Sequence, residues 1–191
     1  MNLKVYDNKI IAPCKCGTRY LDKIWREYED SSELTIFGNS KWKKFEGYYI
    51  FRPPMEHLVS ALHTEILGRE DYESVDDIID RFLSKKGTTH WSGNMYKGLW
   101  EYCSYNKKVK PIPLSQLTKL VKSLGIEPPK YDKTDYEFRH LDTKWVSKET
   151  IVKDIQRDYE IEWEWLTKLV EDDEIYYEKI VNGEWKTFNL L

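Results

Sequence analysis

Two stretches of this chain carry residue types that could handle an anion. The first is Pro13-Cys14-Lys15-Cys16-Gly17-Thr18-Arg19-Tyr20. It follows the apolar run Ile10-Ile11-Ala12 and precedes Leu21, Ile24, Trp25 and Tyr28, spaced i, i+3, i+4, i+7. That order reads as strand, small loop, helix. A helix start presents unpaired backbone N–H groups and a partial positive charge, a natural seat for phosphate or sulfate. Lys15 adds a full charge, and Gly17 lets backbone come close to an anion. The plainer alternative is a surface turn that holds a lysine. The loop is not a Walker A motif, because Lys15 precedes Gly17 and no second glycine lies upstream.

The second stretch starts at a β-rich run, Gly47-Tyr48-Tyr49-Ile50-Phe51, expected as a central strand. It ends at Arg52-Pro53-Pro54, where a helix can begin, since proline is tolerated in a first helical turn. Met55, Leu58, Val59, Leu62 and Ile66 then make an apolar stripe at helical spacing. On the opposite side, at roughly 100° per residue, His57, Ser60, His63 and Thr64 fall within about 60° of one line. Arg52 thus ends a strand, and Ser60 lies in the early helix eight residues later. A forked donor and a facing hydroxyl make a phosphate cradle.

These stretches resemble the nucleotide motifs of sulfotransferases that use 3′-phosphoadenosine 5′-phosphosulfate (PAPS). Lys15-x-Gly17-Thr18 resembles their 5′-phosphosulfate loop, whose usual form is Pro-Lys-x-Gly-Thr-Ser/Thr. Tyr49 to His63 resembles their 3′-phosphate motif: a strand, Arg-Asp-Pro, then a helix with serine eight residues after the arginine. This chain departs by Pro53 in the Asp slot and by Arg19 where the family has Ser or Thr. Thr88-Thr89-His90-Trp91 resembles the His-Trp segment at the active-site mouth of Golgi-type carbohydrate sulfotransferases. Tyr159 to Trp163 is similar to the family's closing helix, so the resemblance spans about residues 8–170.

The resemblance implies an α/β fold, a P-loop-like three-layer sandwich with a short central parallel sheet flanked by helices. It implies metal-free, in-line sulfuryl transfer from PAPS to a hydroxyl or amine acceptor, a carbohydrate by the His-Trp segment. Lys15 would stabilise the leaving phosphate bridge. The backbone at Cys16, Gly17, Thr18 and Arg19, with the Thr18 hydroxyl, would hold the sulfonate and 5′-phosphate. Arg52 and Ser60 would hold the 3′-phosphate. Tyr20 matches an aromatic position that stacks on adenine in some relatives; the alternative is a core residue. The acceptor's proton needs a base, for which His90 and then His63 are candidates, with Glu65 and His140 as alternatives. His57 reads as exposed. A second reading is a catalytically inactive protein of the same fold that binds a nucleotide or partner. A P-loop-like kinase is disfavoured, since no Walker Lys-Ser/Thr or Walker B strand is visible.

The bulk properties agree with one domain over 1–191. The chain has 191 residues, 15% aromatic and 33% charged, with a net charge of −3 that does not mark a nucleic-acid binder. Lys41, Trp42, Lys43 and Lys44 read as a basic loop; base stacking is the alternative. No apolar run is long enough to span a membrane, and the N-terminus lacks a signal-peptide core. The three cysteines suggest a reducing cytoplasm, with a zinc site from Cys14, Cys16 and Cys103 as a remote alternative.

Further elements complete the expectation. The first helix runs to about Glu29, Asp30-Ser31-Ser32 breaks the chain, and Leu34 to Gly38 is a strand. Val75 to Leu83 is an amphipathic helix, Lys108 to Pro113 an edge strand, and Leu114 to Leu124 a helix stopped by Gly125. Tyr131 to Lys144 is a loop, and Ser147 caps one long helix to about Val170. A C-terminal hairpin joins Glu174–Lys179 to Glu184–Phe188 through Asn182-Gly183.

Overall fold

The computed structural model describes residues 2–32, 43–68, 75–84, 91, 93, 95–128 and 147–186. The chain opens with a hairpin, β1 (Asn2–Tyr6) and β2 (Ile10–Pro13). Asp7 and Asn8 at its tip both have positive φ, 48° and 49°, and Lys9 N donates to Tyr6 O at 2.9 Å. This is the turn geometry whose twist matches paired strands, and Asp and Asn tolerate it.

Helix α1 (Thr18–Ile24) follows β2, and β3 (Tyr28–Ser32) returns antiparallel to β1. Next come β4 (Gly47–Phe51), α2 (Pro54–Gly68), α3 (Val75–Leu83) and α4 (Met95–Tyr105). β5 (Val109–Pro113) leads through a short 3-10 turn (Leu114–Gln116) into α5 (Leu117–Ser123). Two more helices, α6 (Lys148–Asp158) and α7 (Glu160–Val181), end the described α-helical part. Among the described residues the protein is α/β, with a mixed five-stranded sheet and seven α-helices.

The sheet order is β3-β1-β2-β4-β5. β2, β4 and β5 are parallel, while β1 and β3 are antiparallel additions. The sheet is thus mixed: three of its strands run parallel, and the tight turn after β1 can only reverse the chain. β5 lies at the edge, where Pro111 and Pro113 cost no ladder to a further strand.

Side chains alternate across the sheet. Leu3, Val5, Ile11, Tyr49 and Phe51 pack with α4 and the end of α7. Tyr6, Ile10, Ala12 and Ile50 pack with α1 and α5 on the other face. Helices therefore cover both faces. A third cluster, including Leu58, Leu62, Phe82, Ile155 and Leu166, joins α2, α3, α6 and α7. No helix among the described residues is long and apolar enough to cross a membrane.

Several sequence expectations are corrected. α1 ends at Ile24, where Trp25 turns extended (φ −114°, ψ 119°). Asp30-Ser31-Ser32 is not a break but part of β3, in register with Lys4, Leu3 and Asn2. An outer strand tolerates such polar residues, because the ladder with β1 outweighs weak propensity. The long helix from Ser147 is two helices, divided at Tyr159 (φ −138°, ψ 50°). The C-terminal hairpin is absent: Glu174–Lys179 lies within α7, and Glu184–Lys186 is a 3-10 turn. Asn182-Gly183 stops a helix instead, with Gly183 at φ 74° and its N–H on Ile180 O at 3.0 Å. Cys16 and Cys103 pack on opposite sheet faces. His90, His140, Leu34–Gly38, Lys41, Trp42, Tyr131–Lys144 and Phe188 lie outside the described residues.

Candidate functional site

β2 and β4 are adjacent and parallel, so the segments leaving them emerge at the same end of the sheet. In open α/β sheets that end is where crevices form. After β2 the chain makes a tight turn, with Cys16 N donating to Pro13 O at 3.0 Å. Lys15 has φ 68° and Gly17 has φ 82°, both left-handed. A Cβ at Gly17 would meet Leu117 Cδ2 at 2.6 Å and Leu114 Cδ1 at 2.9 Å. The glycine thus serves backbone handedness and close packing against the start of α5, rather than opening the backbone to an anion at that point.

Two side chains from the β4–α2 segment hold this turn. Arg52 Nη1 donates to Lys15 O at 2.9 Å. His57 Nε2 lies 2.9 Å from Cys14 O. A carbonyl only accepts, so this nitrogen carries the proton. The Arg52 backbone amide is in turn bonded to the Cys16 sulfur, and the Tyr96 hydroxyl donates to the Arg52 carbonyl. The turn at 14–17 and the strand end at 52 are one hydrogen-bonded unit.

Cations gather at this unit. Burial first, then the Arg19 charge and more weakly that of Lys148, lower the Lys15 pKa to about 8. Cys14 and Glu65 act the other way. Lys148 is lowered by burial and then by the Arg52 charge, against Glu149 and Glu56. Its Nζ stands 3.4 Å from Ser60 Oγ. Lys15, Arg19, Arg52 and Lys148 therefore lie within reach of one another's fields, and each would gain from a shared counter-anion. Arg52 Nη2 pairs with Glu56 at 3.2 Å, but its Nε is buried with no hydrogen-bond partner among the described residues. A buried orphan donor on a guanidinium is the kind of group a phosphate oxygen satisfies.

The polar face of α2 is buried, not solvated. His57 is 0% exposed, Ser60 8% and His63 6%. The expected exposure of His57 is thus corrected: α2 is enclosed on both sides, and His57 is used to hold the turn. His63 lies near Glu149, whose pKa is lowered first by hydrogen bonds at the start of α6, from its own amide and Ser147. Glu65, also buried, lies in the field of Lys15.

The structure brings Lys15, Arg19, Arg52 and Ser60 together. Thr18 is buried beside them, and its carbonyl accepts from the Tyr6 hydroxyl at 3.2 Å. Cys16 is committed within the turn: its amide bonds Pro13, and burial pushes its thiol up to about 12. Tyr20 packs against the α1/α5 side of the core, with its hydroxyl buried and lacking a partner among the described residues. His90 lies outside the described residues, while the neighbouring Trp91 is buried and stacks on Phe82, centroids 5.5 Å apart.

Sequence reasoning missed Lys148. Its helix start was legible: Ser147 Oγ accepts from Thr150 N at 3.1 Å. A lysine directly after an N-cap opposes the helix dipole. That local conflict was the available signal that Lys148 has another task. The chain matches no family model, and it has no match among curated proteins or solved structures.

Proposed function

We propose that this chain is a PAPS-dependent sulfotransferase with a P-loop-like α/β architecture, transferring a sulfuryl group to a hydroxyl or amine, a carbohydrate hydroxyl by preference. The observation that supports this most is the contact of the Arg52 guanidinium with the turn at Lys15, at the ends of two adjacent parallel strands. PAPS supplies an activated sulfonate and a good leaving phosphate. The chain's share is position and charge, which carry most of such a transfer. Lys15 meets the leaving bridge as an ammonium. Thr18 and Arg19 hold the sulfonate and 5′-phosphate from the start of α1. Arg52 Nε, Ser60 and Lys148 take the 3′-phosphate. The acceptor's proton goes to a histidine, His90 or His63.

A second reading draws on a different fact. Arg52 already serves Lys15 O and Glu56, and Cys16 N serves Pro13 O, so the same groups also hold the fold. That favours a nucleotide-binding protein without transfer. Labelled PAPS with a panel of glycans, phenols and peptides separates the two. The enzyme reading expects transfer that Lys15→Ala abolishes. Binding of adenosine 3′,5′-bisphosphate (PAP) with no acceptor labelled supports the second reading. Binding of ATP with magnesium but not PAP overturns the sulfotransferase reading and favours a kinase.

A further inference from the structure

Helix α7 places two adjacent acids at the starts of two other helices. Asp173, 2% exposed, accepts hydrogen bonds from the amides of Met95, Tyr96 and Lys97, with Oδ1 3.1 Å from Tyr96 N. It therefore holds the first turn of α4. Glu174 accepts from the Met55 amide in the first turn of α2. Between these two helix starts lies Arg52. Tyr96, buried in the turn that Asp173 holds, donates its hydroxyl to the Arg52 carbonyl. Arg52 Nη1 then holds the Lys15 carbonyl. Asp173 is thus linked to Arg52 by two hydrogen bonds joined through the Tyr96 side chain, and the link ends on the Arg52 main-chain carbonyl, from whose residue the guanidinium extends to Lys15.

We propose that Asp173 is a positioning residue for Arg52, and that its ionisation is transmitted to the guanidinium through the first turn of α4 and the Tyr96 hydroxyl. An ionised carboxylate holds three amides at a helix start far better than a neutral acid does. Loss of that charge slackens the turn, Tyr96 and the carbonyl of Arg52 with it. Burial raises the Asp173 pKa to about 7, against the three amide bonds, and the neighbouring Asp172 adds to the rise. Both forms are therefore populated near neutrality. The other titratable groups facing these residues are Glu174 and Tyr177 on α7, Cys16 and Tyr49 on the sheet side of Tyr96, Glu56 on α2, which pairs with the guanidinium, and Lys148 on α6. Lys15 and His57 face the far end, at the turn.

The inference rests on the anion-site reading only for its effect on ligand binding. The Arg52 side chain reports it directly. Nitrogen-15 NMR of Arg52 Nε across pH 5–9 in the free protein should show a step near pH 7. Asp173→Asn, which keeps an acceptor of the same shape, should remove that step. Tyr96→Phe should also remove it while the Asp173 carboxyl carbon still titrates near 7. The titration of Lys15, at about 8, would persist in both variants and so subtract out. In the same samples, the ratio of PAP affinity at pH 6 to that at pH 8 should be about fivefold lower in the wild type than in Asp173→Asn, the Lys15 contribution being common to both. A flat Arg52 signal in the wild type, or a step near pH 7 of undiminished size in Tyr96→Phe, overturns the proposal. Tyr96→Phe decides even if Asp173→Asn fails to fold. Should PAP bind to no variant, the sulfotransferase reading fails, and the Arg52 titration still decides this one.

Discussion

Arg52 reaches from the end of β4 to the carbonyl of Lys15, 2.9 Å away, across 37 positions of sequence. A charged donor on a buried carbonyl is worth about 1.5–3 kcal/mol. Arg52→Ala should lower the urea unfolding free energy by about 2–3 kcal/mol, since Lys15 O loses its donor. Arg52→Lys should recover only part of this, because an ammonium lacks the planar fork that serves Lys15 O and Glu56 together. Equal stability of Arg52→Ala and wild type would remove the clamp from the account.

Glycines at positive φ give an internal comparison. Gly17→Ala combines a left-handed backbone with a Cβ 2.6 Å from Leu117 Cδ2, so thermal unfolding should show a loss of about 2–4 kcal/mol. Gly125 has φ 77° with nothing within 4 Å of its Cβ, so Gly125→Ala should cost only about 1–2 kcal/mol. Gly17→Asn should rescue little, since asparagine tolerates the backbone but keeps the Cβ. Similar losses for Gly17→Ala and Gly125→Ala would contradict the packing argument.

Lys148 separates binding from folding. Its ammonium faces Ser60 and feels Arg52, yet it stands at the first position of α6. Lys148→Ala should weaken PAP by about tenfold or more in calorimetry. Its stability should change by no more than about 0.5 kcal/mol, because losing a cation at a helix start offsets lost packing. Lys148→Glu should abolish PAP binding while leaving the chain folded.

Lys15 sets a pH dependence with a definite sign. Its folded pKa, about 8, lies below the ordinary 10.5. The folded chain binds fewer protons between those values, so stability should rise as pH goes from 8 to 10.5. Ligand binding runs the other way: PAP needs the ammonium, so its affinity should fall as pH passes through 8. Lys15→Met should flatten both profiles, read by urea midpoints and by calorimetry. A wild-type affinity that does not change across pH 8 would show that the Lys15 charge does not meet the ligand.

The form of the two stretches was legible because each is local: a strand, a turn or proline pair, and a helix with its apolar stripe. Their meeting was not, since it depends on β2 and β4 being neighbours. The errors have physical causes as well. Asp30-Ser31-Ser32 reads as a break, but pairing with β1 draws it into an outer strand. Ile175-Tyr176-Tyr177 reads as a strand, yet Leu166, Val170, Asp173 and Ile180 continue one buried helical face through it. Asp173 breaks that apolar face with a carboxylate, and only the three amides of α4 explain why. His57 looks exposed until the Cys14 carbonyl is set beside it.

The most direct test of the central claim is calorimetry of PAP with the wild type, Lys15→Ala and Lys148→Ala at neutral pH, with adenosine 5′-monophosphate as the comparison ligand. PAP is expected to bind the wild type, both substitutions to weaken it strongly, and the monophosphate to bind far less well because it leaves the Arg52, Ser60 and Lys148 donors unfilled. No binding of PAP to the folded wild type, or equal binding by all three proteins, would contradict it.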